Sequence, residues 1–296
     1  MRRALLVSSC LALALVAAGC GSTTAGPGTG GPPAPADLAG DAVQALFDAG
    51  SAHYALDGNF AAEGEQADGF PSPLTVHFEG DFSQETYTGN GTIGWPGGTF
   101  NAGFLLGQHE FFLNFFGRWF GTKEYGLAKL EEELEKGDPK AAQLYRDLQT
   151  GDGVRRYFDR VFTGEVGEGP ETDGAATWEF EGHLNADGIV ELMREYGGQS
   201  PEGDELEAFR RVAEAVHVTL LVGRDDRLPR RLDFSMRFSA EDFEGLDDLK
   251  GLGADGSFDF AFAFVLSDFG KDVSYEPPAT FEPLEKALEG FFSGWE

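Results

Sequence analysis

Alternation of large apolar residues with polar or smaller ones, repeated along most of the chain, constrains the fold more than any other feature. Phe258, Phe260, Phe262, Phe264 and Leu266 alternate with Asp259, Ala261, Ala263 and Val265. Leu232, Phe234, Met236 and Phe238 oppose Arg231, Asp233, Ser235 and Arg237, and Leu74, Val76, Phe78, Gly80 and Phe82 oppose Thr75, His77, Glu79 and Asp81. Successive strand residues point to opposite faces, so each run reads as a strand with one apolar and one wet side. Tyr54, Leu56, Gly58 and Phe60 continue the pattern, as do Phe100, Ala102, Phe104 and Leu106, and then Trp178, Phe180 and Leu184. Residues 111–116 are apolar on both faces, and 216–222 are nearly all apolar. Turns such as Trp95-Pro96-Gly97-Gly98 and Arg224-Asp225-Asp226-Arg227 join these runs, which predicts an antiparallel meander of eight to eleven strands. The chain has 27 Phe and 42 Gly but only two Ile, Ile93 and Ile189. That pairing suits a curved sheet, where Gly relieves crowding at bends and Phe fills the concave side.

Helices interrupt the meander. Residues 37–49 carry Leu38, Val43, Leu46 and Phe47 at helical spacing, and 127–134 form a second candidate. Asp138-Pro139 is an N-cap followed by a first-turn proline, opening a helix to Leu148. Segments 152–162, 185–196 and 204–213 complete the set. The class is α+β: a curved antiparallel sheet forming a half-open barrel, with helices over its concave face.

The first residues fix an address. Arg2 and Arg3 precede an uncharged run from Ala4 to Ala18, short of the ~20 residues a membrane span needs and typical of a secretory signal. Ala17-Ala18-Gly19-Cys20 resembles the lipobox of bacterial lipoproteins, which implies cleavage before Cys20 and acylation of that residue. The chain has two cysteines, Cys10 and Cys20, so the exported form would hold one, at its first position. Acylation gives that thiol a purpose, and two or more acyl chains anchor stably. Residues 21–36 are almost wholly Gly, Pro, Ser, Thr and Ala and read as a tether, spanning roughly 20–24 Å if flexible and about 50 Å if stiffened. The expected location is extracytoplasmic, on the outer face of the cell membrane.

Twenty-two basic against 51 acidic residues leave a net charge of −29, which excludes phosphate-driven binding of nucleic acid. Neither a nucleophile elbow nor a zinc-protease helix is present. Gly89-Asn90-Gly91-Thr92-Ile93-Gly94 has the spacing of a nucleotide loop but lies inside a strand pair with no helix after it. His53, His77, His109, His183 and His217 stand far apart, and Asp247, Asp248 and Asp255 lack calcium-loop spacing. No enzyme activity, metal or cofactor is expected. Two readings of the aromatic face fit the pattern: a tightly packed interior, or an apolar-lined cavity for acyl chains.

Several segments resemble the LppX/LprG-type lipoproteins of bacterial cell envelopes, which have a LolA/LolB-like fold. They are Phe111-Phe112-Leu113-Asn114-Phe115 with Gly117-Arg118-Trp119 and Tyr125-Gly126; residues 176–184 entering Asn185; residues 218–222 with Leu228-Pro229-Arg230-Arg231-Leu232; and Leu266-Ser267-Asp268-Phe269-Gly270-Lys271-Asp272-Val273 closing on Pro277-Pro278. The resemblance implies a cavity lined by Phe78, Phe82, Phe100, Phe104, Leu106, Phe180, Phe234, Phe258, Phe260, Phe262 and Phe264. It also implies a lid carrying Leu127, Leu130, Leu134, Leu144, Ile189, Leu192 and Met193. On this reading the chain comprises a signal (1–19), a tether (20–36) and a lipid-binding domain (37–278); beyond the resemblance lies an amphipathic C-terminal extension (279–296), read either as a helix packed on the outside of the sheet or as a gate or partner-docking face. Its partners would be lipid or glycolipid tails, the membrane and a membrane transporter. The expected function is transfer of lipid within the envelope. The alternative is a ligand-free scaffold, sensor or regulator acting through a protein partner.

Overall fold

The computed structural model describes residues 31–63, 72–196, 200–239, 242, 256–284 and 286. The signal, Cys20 and most of the tether therefore lie outside the described residues, as does most of the C-terminal extension. A helix, α1 (Pro35–Ala49), leads into six strands: β1 (Ser51–Glu63), β2 (Leu74–Ser83), β3 (Tyr87–Trp95), β4 (Gly98–Leu106), β5 (Phe111–Phe115) and β6 (Arg118–Thr122). Three helices follow, α2 (Leu127–Gly137), α3 (Pro139–Leu148) and α4 (Gly151–Val161). Then come β7 (Phe162–Thr172), β8 (Ala175–Leu184), α5 (Ala186–Glu195), α6 (Asp204–Glu214), β9 (Val216–Gly223), β10 (Pro229–Ser239), β11 (Ser257–Ser267) and β12 (Glu282–Pro283).

All twelve strands form one sheet in the order β12-β6-β5-β4-β3-β2-β1-β11-β10-β9-β8-β7. Every pairing is antiparallel except the two-residue contact of β12 with β6. The central join is the longest: β1 pairs with β11 from His53↔Ser267 to Glu63↔Ser257, so the chain's first and last long strands lie side by side. Because β7 and β12 are edges and do not meet, the sheet curls without closing.

Two departures from the sequence reading have physical causes. Strand β7 falls in a stretch expected to be helical only as far as 162 and unassigned beyond. Its sequence, FTGEVGEGPET, carries few apolar residues because it is an edge with one neighbour. The C-terminal extension carries apolar residues at helical spacing; Glu282 and Pro283 are nonetheless extended and add to the edge of β6, with Arg118 paired to Glu282, while Leu284 and Lys286 beyond them are helical. The same segment explains the apolar residues on both faces of β5. Phe112 lies on the outer side and is fully buried, and the Phe281 ring meets it edge-on at 5.0 Å.

Helix α4 turns Val154, Tyr157, Phe158 and Val161 inward at i, i+3, i+4 and i+7 spacing. They meet Leu38, Ala39, Val43 and Phe47 of α1 and the inner residues Trp178, Phe180, Val218, Leu220 and Val222. Capping agrees with the sequence: Asp138 accepts from the Lys140 and Ala141 amides, Thr150 from Gly153 and Asn185 from Gly188. Glycines sit where β2 and β3 curve closely past each other. A Cβ built on Gly91 would lie 1.9 Å from the His77 carbonyl oxygen, and one on Gly80 would lie 1.9 Å from that of Thr88. Gly91→Ala should therefore destabilise the fold by about 1–3 kcal/mol, read as a lower thermal midpoint. Gly167→Ala, whose Cβ would meet nothing within 4 Å, should leave the midpoint unchanged; equal effects would contradict this account of the bend.

Candidate functional site

Antiparallel register carries the inner face across the sheet in continuous rows. One row runs Phe234, Phe262, Gly58, Val76, Ile93 and Phe100; the next runs Leu232, Phe264, Leu56, Phe78, Gly91, Ala102 and Phe115. The rings touch: Phe234 stacks on Phe262 at 5.2 Å, Phe260 meets Phe262 at 5.7 Å, Phe60 meets Phe258 at 5.7 Å and Phe78 meets Phe104 at 6.5 Å. Apart from Ala102, the side chains in these rows are only half-buried.

The helices explain this incomplete burial. Helices α1, α4 and α5 cover β7 to β10 and make the main core there. On the β1, β2 and β11 side, α1 seals one end only, where Leu46 packs with Ala52, Tyr54, Phe82 and Leu266. Its other contacts place it across that same lower end. Asp41 lies 4.0 Å from Arg227 in the β9–β10 turn, and the Gln84 side chain donates to the Phe47 carbonyl from the β2–β3 turn. Helices α2 and α3 sit nearby: burial, then Tyr145 and Glu131, push the Tyr87 phenol pKa up. Towards the opposite end, the upper rim formed by the β3–β4 and β5–β6 turns, the inner aromatic residues stay half-open.

Of the residues named as cavity lining, Phe78, Phe100, Phe104, Leu106, Phe234, Phe258, Phe260, Phe262 and Phe264 lie on the inner face at intermediate exposure. Phe82 is buried in the lower cluster. Phe180 is fully buried among Phe158 at 5.1 Å and Phe162 at 6.4 Å, so it belongs to packed core and not to an open wall. Among the lid residues, Leu192 is likewise core, with Leu144 and Ile189 packed against it, while Met193 is half-buried. Helix α2 buries nothing: Leu127 and Leu134 are half-buried and Leu130 is 46% exposed. The sequence reading missed Phe115, Phe116 and Trp95, which extend the aromatic face to the rim.

Across β1 and β2 the charged residues lie on the outer face. His53 bonds Asp81 at 2.9 Å and His77 bonds Asp57 at 2.7 Å across adjacent strands. Among the described residues, no three His, Cys, Asp or Glu groups come together as a metal site. An open depression of about 450 Å³ lies on β7 and β8, lined by Glu165, Glu168, Glu179, Glu181 and His183 with three glycines and Val166. It is acidic and separate from the aromatic rows. Within it, loss of solvent, followed by Glu181 and Asp233, raises the Glu179 pKa.

No protein-family model matches the chain, and no curated protein sequence matches it. Among solved structures, it is similar to the crystal structure of the Mycobacterium tuberculosis lipoprotein LppX at 14% identity and a TM-score of 0.40, covering 82% of this chain and 100% of that one. It is also similar to LprF from Mycobacterium bovis, at 15% identity and a TM-score of 0.40, covering 85% of this chain and 100% of that one.

The contrast between core and open face is measurable. Phe180→Ala should cost about 3–5 kcal/mol, whereas Phe262→Ser on the half-buried face should move the thermal midpoint far less; comparable losses would mean that the face is packed. A second expectation concerns pH. Because the folded state raises the Glu179 pKa, it holds the proton more tightly than the unfolded chain, and stability falls as pH rises above ~4 through that raised value. Glu179→Gln should raise the midpoint at neutral pH and flatten this fall, measured by melts across the acid range.

Proposed function

We propose that this chain is an exported lipoprotein, anchored through Cys20, whose inner aromatic face binds the acyl tails of lipids or glycolipids and passes them within the cell envelope. One observation carries the reading: two adjoining rows of aromatic and aliphatic side chains, spanning β10 to β5, that the protein's own helices leave half-covered. Soluble proteins rarely leave a contiguous apolar surface of more than a few hundred Å² without an occupant. Its chemistry suits a flexible hydrocarbon, since the rows present ring faces and edges with no charged side chain among them. The sequence resemblance to LppX/LprG-type lipoproteins and the half-open α+β sheet agree with it.

The energetics permit both capture and release. Burying a sixteen-carbon tail contributes roughly 12 kcal/mol gross at ~0.8 kcal/mol per methylene, and ordering the tail and the side chains takes back much of it. A half-open face captures less of the gross term than a closed cavity, which favours exchange. No step needs a catalytic group, and the proposed role is that of a non-enzymatic carrier.

The test uses the full-length Cys20→Ser chain, so that no covalent acyl group is present. Native mass spectrometry should find co-purifying or exchangeable lipid at one copy per chain. Phe78→Asp and Phe262→Asp should each reduce retained lipid by roughly tenfold or more, because a buried carboxylate opposes the tail, while the midpoint stays within a few degrees. A wild-type chain that holds no lipid, yet captures a protein partner on crosslinking, would replace this reading with the scaffold alternative.

A further inference from the structure

We propose that the upper rim formed by the β3–β4 and β5–β6 turns is a docking surface for a phospholipid bilayer, with Phe116 and Trp95 inserted at the interface. The proposal goes beyond tail binding and does not require it. Phe116 is 76% exposed, the most exposed large apolar side chain among the described residues. It also stands where a phenylalanine is unfavourable. The β5–β6 connection has two central residues, Phe116 at φ 53° and Gly117 at φ 77°. That left-handed pair is the conformation for which Asn-Gly is the preferred sequence. A bulky aromatic ring held outward in strained backbone contributes little to folding.

Phe116 does not stand alone. Its ring lies 5.4 Å from Phe100, which meets Trp95 at 5.7 Å and Phe115 at 6.3 Å. Two neighbouring hairpin tips thus share one aromatic cluster, continuous with the inner rows. Charge points to the kind of partner. In a chain of net charge −29, residues 86–123 hold a single carboxylate, Glu110, and it lies in the β4–β5 turn at the lower end. The cation at the β5–β6 tip, Arg118, is already paired with Glu282. The two tips therefore present aromatic rings and no free charge, the composition found at the membrane–water interface, where Trp in particular concentrates. An exposed ring at a hairpin tip suits insertion into a deformable bilayer. The chain enters the fold through α1 at the lower end, so the rim faces away from where the tether joins.

Flotation of residues 20–296 carrying Cys20→Ser, which lack the apolar run 4–18, with phosphatidylcholine vesicles tests this without a covalent anchor. The wild-type chain should float with the vesicles, and high salt should not release it, because no charge pair holds it. Phe116→Asn should lower the bound fraction roughly tenfold while leaving the thermal midpoint equal to or above that of the wild type, since Asn-Gly suits the turn; Trp95→Ser should also weaken flotation. Lipid retained by Phe116→Asn in native mass spectra would show the rim and the tail site to be separable. Failure of the wild type to float, unchanged flotation of Phe116→Asn, or a vesicle-free dimer that Phe116→Asn disperses would each overturn the proposal.

Discussion

Incomplete coverage of one curved surface governs this structure. Among the described residues, the inner face of the twelve-stranded sheet is buried under helices over β7–β10 and stays half-buried across β11, β1, β2, β3 and β4. The helical layer is committed to β7–β10, where α4 and α1 bury their apolar stripes against Phe180, Leu220 and Val222. Across β1, β2 and β11 it reaches only the lower end, through Leu46. Apolar surface left in water weakens folding in proportion to its area, so the stability of this fold rests on the covered half. That division separates Phe180, which packs, from Phe262, which waits half-exposed on the same face.

Much of this was legible in the residues. Alternation at 74–82, 232–238 and 258–266 marks the strands and their inner side, and register then aligns the rows without further information. Asp138-Pro139 marks a helix start that the structure reproduces. The abundance of glycine beside phenylalanine anticipates the bend at Gly80 and Gly91. Strand β7 was hidden because an edge with one neighbour needs few apolar residues, and the extended Glu282 and Pro283 because their pairing with β6 is a long-range choice. Alternation tells which side of a strand is apolar but not what lies over it. Nothing local distinguishes Phe180, fully buried against Phe158, from Phe262, which stays half-buried. The rim was missed for a different reason: its signal is the scarcity of acids between 86 and 123, visible only against the acidity of the whole chain.

Electrostatics sharpen the division between faces. Histidine–aspartate pairs, arginine–aspartate pairs and the acidic depression on β7 and β8 all lie away from the aromatic rows. A net charge of −29 sets copies of the chain to repel one another. The rim tips, whose one cation, Arg118, is paired with Glu282, are the exception, and they adjoin the half-buried rows directly.

Calorimetric titration of the delipidated Cys20→Ser chain with a long-chain fatty acid, repeated at several temperatures, tests most directly whether the inner aromatic face is an apolar receptor. Burial of tail and ring surface requires saturable binding with a clearly negative heat-capacity change, abolished when Phe262 is replaced by Asp. Titration without saturable heat, or binding that survives that replacement with its heat-capacity change intact, would contradict the account.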